Sequence, residues 1–300
     1  MKFLMIILAC LACINLEAEL FFTPQMIATH LDTYTEQEIA LIEKDLKVVR
    51  SVCFDNVHNT EKRFYVATAG GPGARKTTIL EKFMNTHPEY QGGVYLDPDP
   101  RTLKFMVHTY HAQSLNPLII SQAQNYDQVI KEAYSKWRGG ANYIVLNLFE
   151  EAVEAGHNVI YGTTSTGAHI PEFFAKLKEN GFQIVLLLCS CPDNLRKEAV
   201  EYRNQVVRFY QSSPEDAVAK GKIFPQRMKD YFDYADVLYF YWSDDLFSSE
   251  RLAGIWQNGK LEIHDSEAMQ HFSDKYEADR ASLAAEGKMI SSFKSYFLNQ

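Results

Sequence analysis

The sequence predicts a doubly wound α/β fold with a mostly parallel sheet, followed by a hairpin and a helical tail. From residue 64 onward, short apolar runs alternate with stretches of helical periodicity, which favours a parallel sheet covered by helices. The runs are apolar nearly throughout, as expected for strands that are buried on both faces. The chain has 300 residues, 46% of them hydrophobic and 23% charged, so it can bury a core without disulfide staples.

The predicted elements follow one another in a regular order along the chain. The predicted strands are residues 64–69, 93–96, 158–162, 183–189 and 236–242. The predicted helices are residues 77–85, 141–155, 171–180 and 192–210. An Asn-Gly turn within residues 255–263 predicts a hairpin. The expected organisation is therefore an N-terminal helical region at 19–62, the α/β domain at 63–264 and a helical tail at 265–300.

The first residues have the pattern of a secretory signal. Lys2 precedes an apolar run at residues 3–14, and small residues follow near Ala18. The run is shorter than the roughly 20 residues of an ordinary membrane span. We expect a signal-like segment at 1–18 and an exported protein. The alternative is a cytoplasmic protein in which this run is a buried first element of the fold.

The charge of the chain limits its partners. The net charge is −8, and an acidic protein does not attract nucleic acid or anionic membranes non-specifically. We expect no nucleic-acid partner and no stable membrane span. Any anion that binds must be attracted by a local basic site.

One such site follows the first predicted strand, where residues 70–77 match G-x-x-x-x-G-K-[ST] except at Arg75. Glycines let backbone N–H groups surround phosphate oxygens, and the start of the next helix directs its positive end to the same place. Lys76 is predicted to bridge the outer phosphates of ATP, and Thr77 to bind Mg²⁺. Arg75 either crowds the loop or adds a cation at the phosphates. The predicted nucleotide-binding residues of this turn are Gly70, Gly71, Pro72, Gly73, Ala74, Arg75, Lys76, Thr77 and Thr78. The turn assigns the domain to the P-loop nucleoside triphosphate hydrolase and kinase type.

Two carboxylates follow the second predicted strand. Asp97 and Asp99 alternate with prolines at the strand's carboxyl end, where ligands bind in open α/β sheets. A hydroxyl that accepts a phosphoryl group needs a carboxylate to take its proton. We predict Asp99 as this base and Asp97 as a metal ligand. A proline-rich turn with two solvated acids is the competing interpretation.

A basic stretch follows the fourth predicted strand and is a candidate lid over the phosphates. Arg196 and Arg203 share one face of the predicted helix, whereas Arg208 lies about 140° round from Arg203. One ligand therefore cannot meet all three. Solvated positions are the competing interpretation for each residue. The stretch comprises Arg196, Arg203, Arg208, Lys220, Lys222 and Arg227.

Residues 64–242 resemble the zeta-toxin kinases. The resemblance rests on the phosphate turn, on the Leu-Asp-Pro-Asp sequence at 96–99, on residues 156–163, and on Pro192 with Arg203 eleven residues later. The family's members are P-loop kinases that phosphorylate UDP-N-acetylglucosamine and so block cell-wall synthesis. The resemblance implies a small-molecule hydroxyl acceptor and an antitoxin-like or host partner.

The resemblance also assigns roles to residues. It implies that Lys76 and Thr77 hold ATP and Mg²⁺, that Asp99 is the base, and that Arg203 binds phosphates. Lys222 stands near a second arginine of the family, and Tyr161 stands where the family has a glutamate. With Arg75, these are three departures from the pattern of the family. Three hypotheses stay open: an active kinase, a catalytically inactive nucleotide-binding or effector protein, and an antibiotic phosphotransferase of the same fold.

Overall fold

A computed structural model describes residues 20–58, 62–116, 122 and 125–297. In these residues the chain forms seven strands: β1 Phe64–Ala69, β2 Val94–Leu96, β3 Val159–Tyr161, β4 Gln183–Ser190, β5 Val237–Trp242, β6 Arg251–Gln257 and β7 Lys260–Ile263. They form one sheet with the order β2-β3-β1-β4-β5-β6-β7. Strands β1 to β5 pair in parallel, and β6 and β7 add an antiparallel hairpin at one edge. This confirms the doubly wound α/β class. The signal-like segment at 1–18 lies outside the described residues.

The strands lie where the apolar runs predict them. All residues of β1 are buried, and so are all but the first of β4. Burial on both faces explains why these strands lack polar alternation.

The helices agree less well with the sequence prediction. They are α1 Pro24–Ala28, α2 Glu36–Cys53, α3 Lys76–Thr86, α4 Tyr110–Ser114, α5 Tyr126–Glu154, α6 Ile170–Glu179, α7 Asp193–Tyr202, α8 Pro214–Gly221, α9 Met228–Tyr234 and α10 Ser266–Ala285. The prediction of a helix at 141–155 was too short, because α5 begins at Tyr126. The prediction of one helix over 192–210 was too long, because α7 ends at Tyr202.

Two glycines inside α5 explain the first of these errors. Gly139 and Gly140 suggest a break in sequence, since glycine weakens helix interiors. In the structure a Cβ on Gly139 would lie 2.9 Å from the carbonyl oxygen of His30, and one on Gly140 would lie 3.0 Å from Cδ1 of Ile42. The N-terminal region therefore packs closely on α5 at both glycines, and a side chain at Gly139 would collide with the backbone of His30.

The end of α7 explains the second error. After Tyr202 the backbone widens into a π-type turn, Arg203–Val207, and Arg208 takes a left-handed conformation that ends it. The Arg208 side chain then forms an ion pair with Asp127 at the start of α5.

The N-terminal region and the tail share the main hydrophobic core with the α/β domain. Ile42 and Val49 of α2 are fully buried, as is Asp45, whose carboxylate accepts hydrogen bonds from the backbone N–H of His108 and the hydroxyl of Thr109. Phe272 of α10 packs on Phe240 of β5. Among the described residues, every helix is too short or too polar to cross a bilayer.

Candidate active site

A cavity of about 670 Å³ opens at the carboxyl ends of the parallel strands. The turn after β1, the acidic turn after β2, residues 162–166 after β3, and α7 after β4 all contribute to its wall. Five cationic and two acidic side chains line it, so an acidic protein presents a locally basic site here. These are Arg75, Lys76, Arg138, Arg203, Lys220, Asp97 and Asp99. Such a cavity suits a polyanion.

The phosphate turn keeps the backbone that its motif requires. Arg75 lies at the N-cap of α3 with φ 55° and ψ 23°, the left-handed conformation that favours glycine. A non-glycine residue in this conformation costs about 1 kcal/mol. The substitution therefore leaves the fold of the turn intact and adds only modest strain. Three residues of the turn are buried, namely Gly70, Gly71 and Ala74. The residues of the turn that line the cavity are Pro72, Gly73, Arg75, Lys76, Thr77 and Thr78.

The Arg75 side chain explains how this strain is offset. Its Nη1 donates to the carbonyl oxygens of Asp245 at 3.1 Å and Ser248 at 2.6 Å, and its Nη2 lies 2.7 Å from a carboxylate oxygen of Glu250. The guanidinium is thus bonded to the connection between β5 and β6. Neither sequence interpretation of Arg75, as a crowding residue or as a phosphate ligand, anticipates these contacts.

Lys76 lies at the first position of α3, with its amine directed back to the turn. Nζ donates to the carbonyl oxygen of Gly71 at 2.8 Å. Burial lowers the pKa of Lys76 to about 8, because desolvation disfavours the ammonium ion. An anion at the turn would restore the charged form by providing an opposite charge.

Asp97 is the more buried of the two acids, with 5% of its surface exposed. One carboxylate oxygen accepts the backbone N–H of Asp99 at 2.8 Å. The other lies so close to Gly162 that a Cβ there would be 2.3 Å away. Burial, reinforced by the charge of Asp99, raises the pKa of Asp97 to about 7.

The raised pKa of Asp97 gives a stability prediction for the ligand-free protein. Between the ordinary aspartate pKa near 4 and about 7, the folded protein binds a proton here that the unfolded chain does not. The free energy of unfolding should therefore fall as the pH rises through this range. We expect Asp97→Asn to remove much of this fall, because asparagine keeps the bond to Asp99 without ionising. Urea unfolding at several pH values measures it, and parallel pH profiles for the two proteins would contradict the assignment.

Asp99 faces the cavity from the same turn and is 24% exposed at its side chain. Nε of Arg138 lies 2.7 Å from one of its carboxylate oxygens, and Nε also lies 3.3 Å from the hydroxyl of Tyr134. Sequence reasoning missed Arg138 and Tyr134, which line the cavity from one face of α5. Their spacing of four residues was the available signal, but the predicted helix began only at residue 141 and left both residues out.

Arg203 and Arg196 occupy different positions although they were predicted on one face. Arg203 lines the cavity, and desolvation lowers its pKa. Its Nε and Nη2 are buried and have no hydrogen-bond partner among the residues that the structure describes. A buried guanidinium with unused donors is suited to an anionic ligand. Arg196 is 2% exposed and donates to the carbonyl oxygen of Pro72 at 2.8 Å. It therefore stabilises the phosphate turn but does not line the cavity.

Lys222 does not line the cavity, whereas Lys220 does. Lys220 pairs with Asp216 at 2.6 Å on the exposed side of α8, and Lys222 is the C-cap of that helix. Arg227 likewise pairs with Asp230 on α9. The predicted basic lid is therefore ordered as short helices, with Arg203 and Lys220 as its cations at the cavity.

Tyr161 packs into the core at the carboxyl end of β3. Its ring lies 6.4 Å from that of Tyr65 and 6.2 Å from that of Phe149. Burial raises its pKa to about 12, so the side chain is a neutral phenol at physiological pH. The resemblance predicts a carboxylate here, and this chain has an aromatic side chain packed against other rings instead.

The donors at the cavity suit a magnesium ion of the kind that accompanies nucleotides. Such ions use one or two carboxylates together with waters and substrate phosphates. Asp97 provides a buried carboxylate, and Thr77 provides a hydroxyl on the cavity wall. The described residues contain no group of three or more His, Cys, Asp or Glu side chains arranged to hold a metal alone. The donor set therefore fits an ion bound jointly with phosphates.

Comparisons with known proteins agree with this arrangement. The family model of the zeta toxin matches residues 52–211. No curated protein sequence matches the chain.

Solved structures share the fold at low sequence identity. A chain of the PezAT chromosomal toxin–antitoxin system of Streptococcus pneumoniae is 14% identical with a TM-score of 0.50, and the match covers 83% of this chain and 99% of that one. AvrRxo1-ORF1:AvrRxo1-ORF2 with sulphate ions is 14% identical with a TM-score of 0.56, covering 92% and 93%. The same complex with ATP is 13% identical with a TM-score of 0.55, covering 92% and 93%.

Proposed function

Because the chain belongs to the zeta toxin family, we propose that it is an ATP-dependent phosphotransferase that acts on a hydroxyl group of a small molecule. The observation that carries this proposal is the cavity wall that Lys76, Arg203 and Asp99 share. Two cations with capacity for phosphate and one reachable carboxylate are the groups that phosphoryl transfer to an alcohol needs. The similar complex solved with ATP supports the choice of nucleotide.

The reaction assigns a separate task to each of these residues. The acceptor oxygen attacks the γ-phosphorus as Asp99 takes its proton, and the bond from the γ-phosphorus to the bridging oxygen breaks to release ADP. Lys76 and the unpaired donors of Arg203 stabilise the charge on the phosphoryl oxygens. Arg138 fixes the position of the Asp99 carboxylate through their 2.7 Å ion pair.

The choice of Asp99 over Asp97 as the base rests on access. A base must lie within hydrogen-bond reach of the proton that it removes. Asp99 is partly exposed to the cavity, whereas Asp97 is buried and bonded to the backbone of Asp99. The pKa of Asp97 near 7 would suit a base, but its enclosed position suits a metal ligand better.

Mg²⁺ is part of this proposal. Thr77 and Asp97 would hold it, and the ion would neutralise charge on the phosphates when bound. The wall contains both residues, and the part of the chain that the structure describes provides too few ligands for a metal without nucleotide. We expect ATP and Mg²⁺ to bind together.

We propose UDP-N-acetylglucosamine as the first acceptor to test, because the resemblance implies it. An antibiotic hydroxyl is the alternative acceptor. The similar chain from a toxin–antitoxin system supports an antitoxin-like partner for this chain, and a host partner is the alternative if the signal-like segment directs export.

An acceptor screen tests this function. The protein is incubated with ATP labelled at the γ-phosphate, Mg²⁺, and either UDP-N-acetylglucosamine or an aminoglycoside, and the labelled products are separated. We expect label on the sugar nucleotide, with Asp99→Asn as the inactive control. Label on the aminoglycoside alone would identify an antibiotic phosphotransferase. Tight ATP binding without a labelled product from any acceptor would identify an inactive nucleotide-binding protein.

A further inference from the structure

Arg75 joins the phosphate turn to a second part of the cavity wall. Its guanidinium bonds the carbonyl oxygens of Asp245 and Ser248 and the carboxylate of Glu250. These residues belong to the connection between β5 and β6, here called the 245–250 loop. The Glu250 side chain is 2% exposed and is also bound by Lys82 of α3. One buried carboxylate therefore fixes the loop to the helix that begins at the phosphate turn.

The 245–250 loop carries an aromatic ring into the cavity wall. Phe247 and Tyr202 both line the cavity, and their ring centroids are 5.6 Å apart at an interplanar angle of 87°. Phe247 is 76% exposed, so most of its side chain is accessible to a ligand. The backbone that carries it is held in place, because the Asp245 carboxylate accepts the backbone N–H groups of Phe247 at 2.7 Å and Ser248 at 2.6 Å.

An exposed ring at a cavity that suits polyphosphate points to a ligand with a planar apolar part. Aromatic side chains bind flat heterocycles by stacking or edge contacts. A nucleoside triphosphate combines such a heterocycle with the anion that the turn suits. The cavity wall also contains Ala199 and Leu246, which offer apolar contact and no charge.

We propose that Tyr202 and Phe247 form a subsite for the planar base of the nucleotide, and that Arg75 is a positioning residue that fixes this subsite relative to the phosphate turn. The inference rests on the proposed function, since it takes a nucleoside triphosphate as the ligand. It explains why an arginine is accommodated in a left-handed position that favours glycine. Glycine would preserve the turn but would release the 245–250 loop.

Two ligands distinguish the contribution of the nucleotide base to binding from the contribution of the phosphates. ATP and inorganic tripolyphosphate are titrated by calorimetry with Mg²⁺ into the full chain and its variants. Phe247→Ala should lower the affinity for ATP about ten- to hundredfold, the size expected for losing one stacking contact. The affinity for tripolyphosphate should stay within about twofold of that of the natural protein. Phe105→Ala is the matched control, because Phe105 is another exposed phenylalanine (39%) and does not line the cavity.

Arg75→Gly tests the positioning role. It should lower the affinity for ATP by a similar factor without changing the affinity for tripolyphosphate. In the double variant with Phe247→Ala the loss of ATP affinity should be little larger than in either single variant, because both residues act on one subsite. Equal weakening of ATP and tripolyphosphate by Arg75→Gly would make Arg75 a phosphate ligand. Tighter binding of both would mean that Arg75 crowds the turn. Either result overturns the positioning role.

The same titrations distinguish failure of this inference from failure of the proposed function. If the natural protein binds ATP no better than tripolyphosphate, the subsite is wrong and a phosphate site remains. If Phe247→Ala instead leaves ATP binding unchanged and weakens the acceptor, the aromatic pair belongs to the acceptor. If the natural protein binds neither polyphosphate, the proposed function is wrong, and this inference with it.

Discussion

Asp99→Asn should lower the rate of γ-phosphate transfer by roughly 10²–10⁴-fold, the usual cost of losing a general base, while ATP affinity stays near that of the natural protein. Asparagine keeps the shape of the side chain but cannot take the acceptor proton. The ground-state ATP complex does not use this base, so binding should change little. Initial rates with labelled ATP, together with ATP titrations, measure the two effects separately.

The neighbouring acid gives the matched control for Asp99. Asp97→Asn should raise the Mg²⁺ concentration needed for activity rather than remove the base, because Asp97 is buried and bonded to the Asp99 backbone. The two variants should therefore change different quantities: Asp99→Asn the rate of transfer, and Asp97→Asn the Mg²⁺ concentration that transfer requires. Loss of transfer only in Asp97→Asn would exchange the two roles, and equal, mild effects would mean that the turn is not catalytic.

Lys76→Ala should remove most of the thermal stabilisation that ATP and Mg²⁺ give. A ligand that binds only the folded state raises the free energy of unfolding by about 2.7 kcal/mol at a hundredfold excess over Kd. Loss of one charge-assisted hydrogen bond costs roughly 1.5–3 kcal/mol, which weakens binding about ten- to hundredfold. A melting experiment at fixed ATP and Mg²⁺ measures the change.

A lysine outside the cavity provides the control for Lys76. Lys178 pairs with Asp236 and does not line the cavity, so Lys178→Ala should keep the ATP-dependent shift. The natural protein should also bind ATP more weakly as the pH rises through about 8, where free Lys76 loses its proton. An unchanged melting temperature at millimolar ATP in the natural protein would contradict the phosphate-turn assignment.

The sequence was sufficient where the physical signal is local. Strands β1 to β5 are continuous apolar runs bounded by turn residues, so their positions could be predicted to within a residue or two. The phosphate turn follows from its own spacing, and the structure gives Arg75 the backbone conformation of the missing glycine. Asp97 and Asp99 line the cavity because the carboxyl ends of parallel strands meet at one edge.

The sequence was insufficient where contacts between residues far apart in the chain determine the local structure. Gly139 and Gly140 weaken the helical signal, yet both lie inside α5, where they pack closely on the N-terminal region. The same helix carries Arg138, which pairs with Asp99. The contacts of Arg75 join residues about 170 positions apart. Helical geometry placed Arg196 and Arg203 on one face, but the backbone widens into the π-type turn at Arg203, where α7 ends.

The most direct measurement follows the γ-phosphate of ATP in a reaction that contains every small acceptor at once. The purified protein is given labelled ATP, Mg²⁺ and a protein-free extract of small molecules, and ADP and labelled products are quantified together. The proposed function predicts one ADP for each newly labelled small molecule, and loss of both in Lys76→Ala and Asp99→Asn. ATP that binds but remains intact under these conditions would contradict phosphotransfer.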